Sequence, residues 1–335
     1  MAGLLGATVV VLTPSPASAH GVGGIEPSNY RTRLLAVEPA RPGIAVRAVD
    51  LGTRLELENT GNSDVVVLGD DSEPYLRVGP RGAFENVSSP ATYRNRTRRA
   101  DDAREPVPPE PDPSARPRWR RIGDDPVVRW RDHRAYPTTT TDPPAVRDDP
   151  DHVHLVQQFQ IEIVQRGHHS LVRGDVRWVP GPSPWPWIAG ALALAVAVAL
   201  ISRARHSRGT VTAVLVLVGS SEIMHLVGGW GATTVGTGER LGAGIYAIGA
   251  ITTAAIALVA VVGRGADRAA PLVLASGLFL ALAGGLADVT VFQRSGIPTT
   301  LTPDLARLTV MIALGAGLGL AVAGGLRLRI SERAR

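Results

Sequence analysis

Two hydrophobic rhythms divide the chain. From residue 33 to 86, and again from 127 to 179, apolar and polar positions alternate in short runs bounded by Gly, Asn, Asp and Pro. That period of two is the signature of half-buried strands. The runs are 44–49, 54–58, 65–68, 75–78, 127–130, 154–164 and 170–179. Strands at this spacing, with no helical pattern between them, predict an antiparallel all-β sandwich (Ig-like or cupredoxin-like) over residues 20–182. From 183 onward the rhythm changes to long apolar runs at 187–202, 210–229, 243–262, 270–292 and 305–326. Each approaches or exceeds the ~17–25 residues of a membrane span, which predicts an all-α bundle of five transmembrane helices over 183–335. Pro180, Pro182, Pro184 and Pro186 form a stiff spacer between the two parts, with Trp185 and Trp187 at an interfacial position.

Two stretches fall outside both rhythms. Residues 1–19 read as a signal peptide: an apolar core from Leu4 to Leu12 precedes Ala17-Ser18-Ala19, a small-x-small cleavage site before His20, although no basic residue precedes the core. Residues 88–125, with Pro106, Pro108, Pro109, Pro111 and Pro113 among Arg and Asp, hold too little apolar surface to fold and read as a disordered insertion.

Charge orients the membrane part. Arg203, Arg205, Arg208, Arg264, Arg268, Arg327, Arg329, Arg333 and Arg335 fall on one side of the bundle, and Arg240, Arg294 and Arg307 on the other. The positive-inside rule then places the short tail in the cytoplasm and the β-domain outside, in a multi-pass protein of the cell membrane. Over 94–134 there are 12 Arg against eight acidic residues. Outside the cell this argues against nucleic acid and leaves anionic lipid, wall polymer or plain solvation. The chain has no Cys, which excludes disulfides, thiol nucleophiles and Cys-ligated metals. All 35 basic residues are Arg, which removes Schiff-base and P-loop chemistry.

Two constellations carry candidate chemistry. Cleavage after Ala19 would give His20 a free amine beside its imidazole, a two-nitrogen chelate suited to Cu(II), with His133, His152 and His154 competing for the remaining positions. His152 and His154 are i, i+2 at the head of a strand and leave one face. The alternative is that all are solvated loop histidines. In the second apolar run, Glu222 and His225 are i, i+3 on one helical face, and Asp288 falls near the same level in the fourth. Ionisable groups at such depth face a bundle interior or water. They form either a proton, ion or metal site or an interhelical clamp. Gly315, Gly317 and Gly319, with Gly324-Gly325, read as close helix packing.

Gly69-Asp70-Asp71-Ser72-Glu73-Pro74-Tyr75-Leu76-Arg77-Val78, Phe84-Glu85-Asn86, Ser89-Pro90-Ala91-Thr92-Tyr93, Arg129-Trp130-Arg131-Asp132-His133 and Asp288-Val289-Thr290 resemble an uncharacterised family of actinobacterial membrane proteins. That resemblance implies the architecture and no activity. More loosely, a secreted β-sandwich beginning with His and joined to a polytopic domain is similar to fused copper-resistance C-type and D-type proteins, which implies Cu(II) binding outside the membrane. Only three Met are present, against the Met-rich runs of many such proteins. The reading is therefore a non-enzymatic, outward-facing binding or assembly protein with copper as its implied cofactor. Its expected partners are membrane lipid and a second membrane or periplasmic protein, with no nucleic acid. The alternative is an intramembrane proton, ion or metal pathway through Glu222, His225 and Asp288.

Overall fold

The computed structural model describes residues 25–96, 111–139, 141–202, 208–232, 234 and 237–333. The expected signal peptide and His20 lie outside these residues.

The amino-terminal part is an antiparallel β-domain of two sheets. Its strands are β1 (Tyr30–Glu38), β2 (Ile44–Val49), β3 (Arg54–Asn59), β4 (Val65–Leu68), β5 (Pro74–Gly79), β6 (Gly82–Asn86), β7 (Trp119–Gly123), β8 (Val127–Trp130), β9 (His154–Gln165) and β10 (His168–Trp178). The larger sheet has the order β1-β10-β9-β4-β5-β6-β7, and the smaller β2-β3-β8. Alternation sets which residues face inward: Phe159, Ile161 and Ile163 of β9 and Val172 and Val176 of β10 share one core with Leu55, Leu57, Val128 and Trp130 of the smaller sheet. The β9–β10 hairpin turns on Arg166 (φ 51°) and Gly167 (φ 77°), the paired positive values that a two-residue loop requires.

The expected disordered insertion, 88–125, is corrected at both flanks. Helix α1 (Pro90–Arg94) begins at a capping Ser89, and β7 pairs with β6. Residues 97–110 lie outside the described part. Strand β7 escapes the alternation rule because it is an edge strand, whose Arg120 and Arg121 point to solvent and bind Glu85 and the Arg81 carbonyl.

Acidic residues tie strands together. Asp175 is buried in β10 and accepts from Arg33 at 2.9 Å and Arg177 at 3.1 Å. Burial raises its carboxyl, but the hydrogen bonds from the two arginines outweigh burial and hold it below the usual carboxylate range. Glu56, between Arg47 and Arg129 across β2-β3-β8, is held low by the same balance. A depressed folded pKa gives stability that is full above about pH 4, the unfolded value, and lost as pH falls through the folded one. Both arginines of Asp175 are more than a third exposed, so solvent screens the pair. Asp175→Asn is expected to cost about 1 kcal/mol at neutral pH and to flatten the acid limb of the unfolding curve. Tryptophan fluorescence against pH checks this, and an unchanged acid limb refutes it.

The helical part comprises α3 (Trp185–Ile201), α4 (Arg208–Gly231), α5 (Thr237–Arg264), α6 (Ala270–Phe279) and α7 (Pro303–Arg333), preceded by a short α2 (Pro144–Asp148) in the β-domain. Helix α6 continues through a π-helical turn, Leu280–Gly285, into a 3-10 segment, Leu286–Gln293. Among the described residues, four helices are long and apolar enough to cross a membrane: Arg208–Gly231, Gly244–Arg264, Ala270–Gln293 and Pro303–Ser331. The first of the five expected spans, α3, is an apolar helix of 17 residues, at the short limit. Exposed Leu192, Val196, Val216, Val227, Ile245, Val259 and Leu282 ring the bundle with the apolar surface that lipid requires. Helix α7 is the most enclosed, and its glycines allow this. A Cβ on Gly315 would lie 2.5 Å from the Ala191 carbonyl oxygen of α3, and one on Gly317 2.7 Å from the Ala281 nitrogen of the π turn.

The ends of the bundle are distinct. At one end, Arg327 of α7 binds Asp267 and the Ser202 carbonyl, and Arg208 reaches the Val262 carbonyl. At the other, the bundle meets the β-domain. Ser28 and Gly296 exchange backbone hydrogen bonds of 2.9 and 2.8 Å, and Ser295 N–H donates to Asn29 Oδ1 at 2.8 Å. Buried Asp50 accepts from the Thr234 N–H at 3.0 Å and its hydroxyl at 2.8 Å. Asp50 and Leu51 hold positive φ of 53° and 59° in that turn, a conformation that Asp tolerates better than most residues.

Candidate functional site

The site is built where α4 faces the irregular part of the fourth span. The π turn displaces the backbone by one residue, and two small residues occupy the displacement. A Cβ on Gly285 would sit 2.6 Å from Leu314 Cα, and one on Gly284 2.5 Å from Glu222 Oε1. The absence of a side chain at 284 lets the Glu222 carboxyl lie against the turn, which fits the frequent placement of π turns at functional positions. Glu222 is only 2% exposed. Its Oε2 atom is fully buried and has no hydrogen-bond partner among the described residues.

One turn further along α4, His225 bridges two helices. Its Nδ1 lies 3.1 Å from Thr309 Oγ1, and the Thr309 hydroxyl donates to the Ala306 carbonyl at 2.7 Å. A hydroxyl has one proton, so Thr309 can only accept from the ring. The network thereby assigns the proton to Nδ1 and turns Nε2 toward Asp288 Oδ2, 3.4 Å away. A single proton between Nε2 and the carboxylate can reside on either. Asp288 owes its position to the 3-10 segment, whose end is pinned by the buried Arg307 guanidinium. That group donates to the Val291 carbonyl at 3.1 Å and the Arg294 carbonyl at 2.9 Å.

Glu222, His225 and Asp288 open into one cavity of about 60 Å³, room for a few water molecules. Trp230, Arg240, Tyr246, Pro298 and Pro27 also line it, so a residue just ahead of the β-domain's first strand meets the cavity. Toward the opposite end of the bundle the spans carry no ionisable side chain between Glu222 and the terminal arginines. The interior there is Val211, Val214, Leu215, Val218, Ala254, Ala257, Leu280 and Leu320.

The expected histidine cluster is arranged differently. His152 precedes β9 rather than lying in it, and its Nδ1 contacts Asp149 Oδ1 at 2.6 Å; His154 Nε2 contacts the Asp149 carbonyl at 2.6 Å. The hydrogen bond and charge of Asp149 raise the His152 pKa. His133 lies in a different turn, its backbone N–H on Asn95 Oδ1. Among the described residues, no group of three or more His, Cys, Asp or Glu has an arrangement able to hold a metal ion.

The residues carrying the family resemblance fall in two places. Glu73 is buried in the β-domain, accepting from the Ser89 hydroxyl at 2.6 Å and the Asp71 N–H at 3.0 Å, so it locks the β4–β5 turn to the start of α1. Asp132 joins Trp130 to Arg134. Glu73 and Asp132 are thus structural clasps, whereas Asp288 belongs to the cavity. No family model, curated protein or solved structure matches the chain. Of the residues gathered here, the sequence pointed to Glu222, His225 and Asp288, which line one cavity, and not to Thr309 or Gly284. A hydroxyl and a glycine within apolar runs carry no pattern of their own.

Proposed function

We propose that this is an outward-facing membrane protein whose β-domain, an open β-sandwich, caps an intramembrane proton-binding site formed by Glu222, His225 and Asp288. The observation that carries this reading is the buried, unpartnered Oε2 of Glu222. An ionised carboxylate in that setting is several kcal/mol uphill unless a proton joins it. The His225–Asp288 pair at 3.4 Å supplies a second exchangeable proton within the same cavity. The excess of Arg at the end remote from the β-domain supports an outside β-domain. Reporter fusions after Arg208 and after Arg240 check this orientation: an outside signal at the first or an inside signal at the second refutes it.

The site itself is tested by infrared difference spectroscopy of the full chain in lipid nanodiscs across a pH series. A protonated-carboxyl band that titrates is expected in the wild type. Glu222→Gln is expected to remove it, and Asp288→Asn to change its pH dependence. A band that survives Glu222→Gln unchanged overturns the reading.

A further inference from the structure

A second cavity lies in the β-domain, independent of the intramembrane site. It is a cleft of about 440 Å³ between the two sheets, where β5, β6 and β7 diverge from β3 and β8. Four arginines line it: Arg54 from β3, Arg96 after α1, and Arg129 and Arg131 at the end of β8. Among the described residues of the lining the one carboxylate, Glu85, is engaged by Arg120. Arg129 reaches Glu56 through Nε, and Arg54 reaches Asp50 through Nη1 at 3.5 Å. A guanidinium has five N–H donors in a fixed fork, so each ion pair occupies only part of its donor set. Convergent forks of this kind match the oxygens of a phosphate group.

The position of the cleft selects the source of that phosphate. Thr234 forms part of its wall, three residues beyond the end of α4, a helix apolar enough to cross the membrane. The cleft therefore opens at the level of the lipid headgroups, which extend roughly 5–8 Å beyond the hydrocarbon on each side. Exposed Ile122 on the rim offers apolar contact beside the arginines. From the convergence of Arg54, Arg96, Arg129 and Arg131 in a cavity at the membrane surface, we infer that this cleft binds the phosphate of an anionic phospholipid headgroup from the adjoining leaflet. The Arg-rich sequence of 94–134 then has a use, since Arg96, Arg129 and Arg131 all come from it.

The experiment is native mass spectrometry of the full chain released from nanodiscs of phosphatidylcholine alone or mixed with phosphatidylglycerol. One retained phosphatidylglycerol per chain is expected, preferred over phosphatidylcholine by about tenfold or more, because phosphatidylcholine carries the same phosphate but adds a choline cation that the arginines repel. Arg129→Gln/Arg131→Gln is expected to abolish the preference, and the double Lys variant to keep part of it, because ammonium retains charge without the fork. Arg329→Gln, at the opposite end of the bundle, is expected to leave it intact. Because Arg129 also holds buried Glu56, Arg131→Gln alone is measured alongside, with thermal unfolding to show that each chain is folded. Equal retention of both lipids by the wild type, or a preference that survives the double Gln change in a folded chain, overturns the inference. Inorganic phosphate that displaces the lipid at matched concentration leaves the phosphate chemistry standing and overturns the lipid as its source.

Discussion

Gly317→Val is expected to unfold the helical part by about 3 kcal/mol relative to the wild type, at the upper end of what overpacking costs. The physical reason is that its neighbours are main chain. A Cβ at 317 would lie 2.7 Å from the Ala281 nitrogen and 3.0 Å from the Gly277 carbonyl oxygen, and Gly277 meets Ala321 in the same way. Side chains can rotate aside, but two helix backbones can only separate. Separation removes contact along the whole α6–α7 seam, and in lipid that contact is the main force holding helices together. Gly325→Ala is the control, since the nearest atom there is the Leu274 Cδ1 at 4.0 Å. Unfolding in mixed micelles followed by circular dichroism should show a large loss for the first and little change for the second. Equal behaviour of the two would refute the packing argument.

Asp132→Ala is expected to cost the β-domain about 3 kcal/mol, the range for breaking a buried charge pair. Asp132 is 3% exposed and accepts four hydrogen bonds: from the Trp130 indole at 3.1 Å, from the Arg134 N–H at 3.1 Å, and from Arg134 Nε and Nη2 at 2.8 Å each. Its loss strands a buried indole donor and withdraws the principal counter-charge of a guanidinium that also holds the Leu68 carbonyl at 3.1 Å. Asp70, 3.2 Å from Arg134 Nε, offsets part of the deficit. Asp132→Asn should fall between the two, keeping one acceptor oxygen. Thermal unfolding monitored by tryptophan fluorescence checks the order, and a loss below about 1 kcal/mol for the alanine variant would show that Arg134 finds sufficient partners elsewhere.

What the sequence made legible follows from how each element is stabilised. Ile44–Val49 announces itself by alternation, and Val65–Leu68 and Val127–Trp130 by short apolar runs between turn residues, so all three were placed to the residue. Strand β7 did not, because its solvent-facing arginines carry no apolar rhythm. The membrane runs were legible from length alone. The break in the fourth span was not, since Leu280–Gly285 reads as uninterrupted helix and the π turn arises from Gly284 and Gly285 fitting against Glu222 and Leu314. In the site, i, i+3 spacing disclosed that Glu222 and His225 share a face. The ring's proton assignment depends on Thr309 being 84 positions away in sequence and adjacent in space.

The uncharged far half of the bundle gives the intramembrane cavity a direction. Glu222 stands 14 residues past Arg208, or about 21 Å of helix, and no ionisable side chain of that helix lies between them. An ion crossing it would meet the full penalty of entering hydrocarbon. If the cavity takes up protons as proposed, its occupancy follows the solution on the β-domain side, the anatomy of a gauge more than of a conduit.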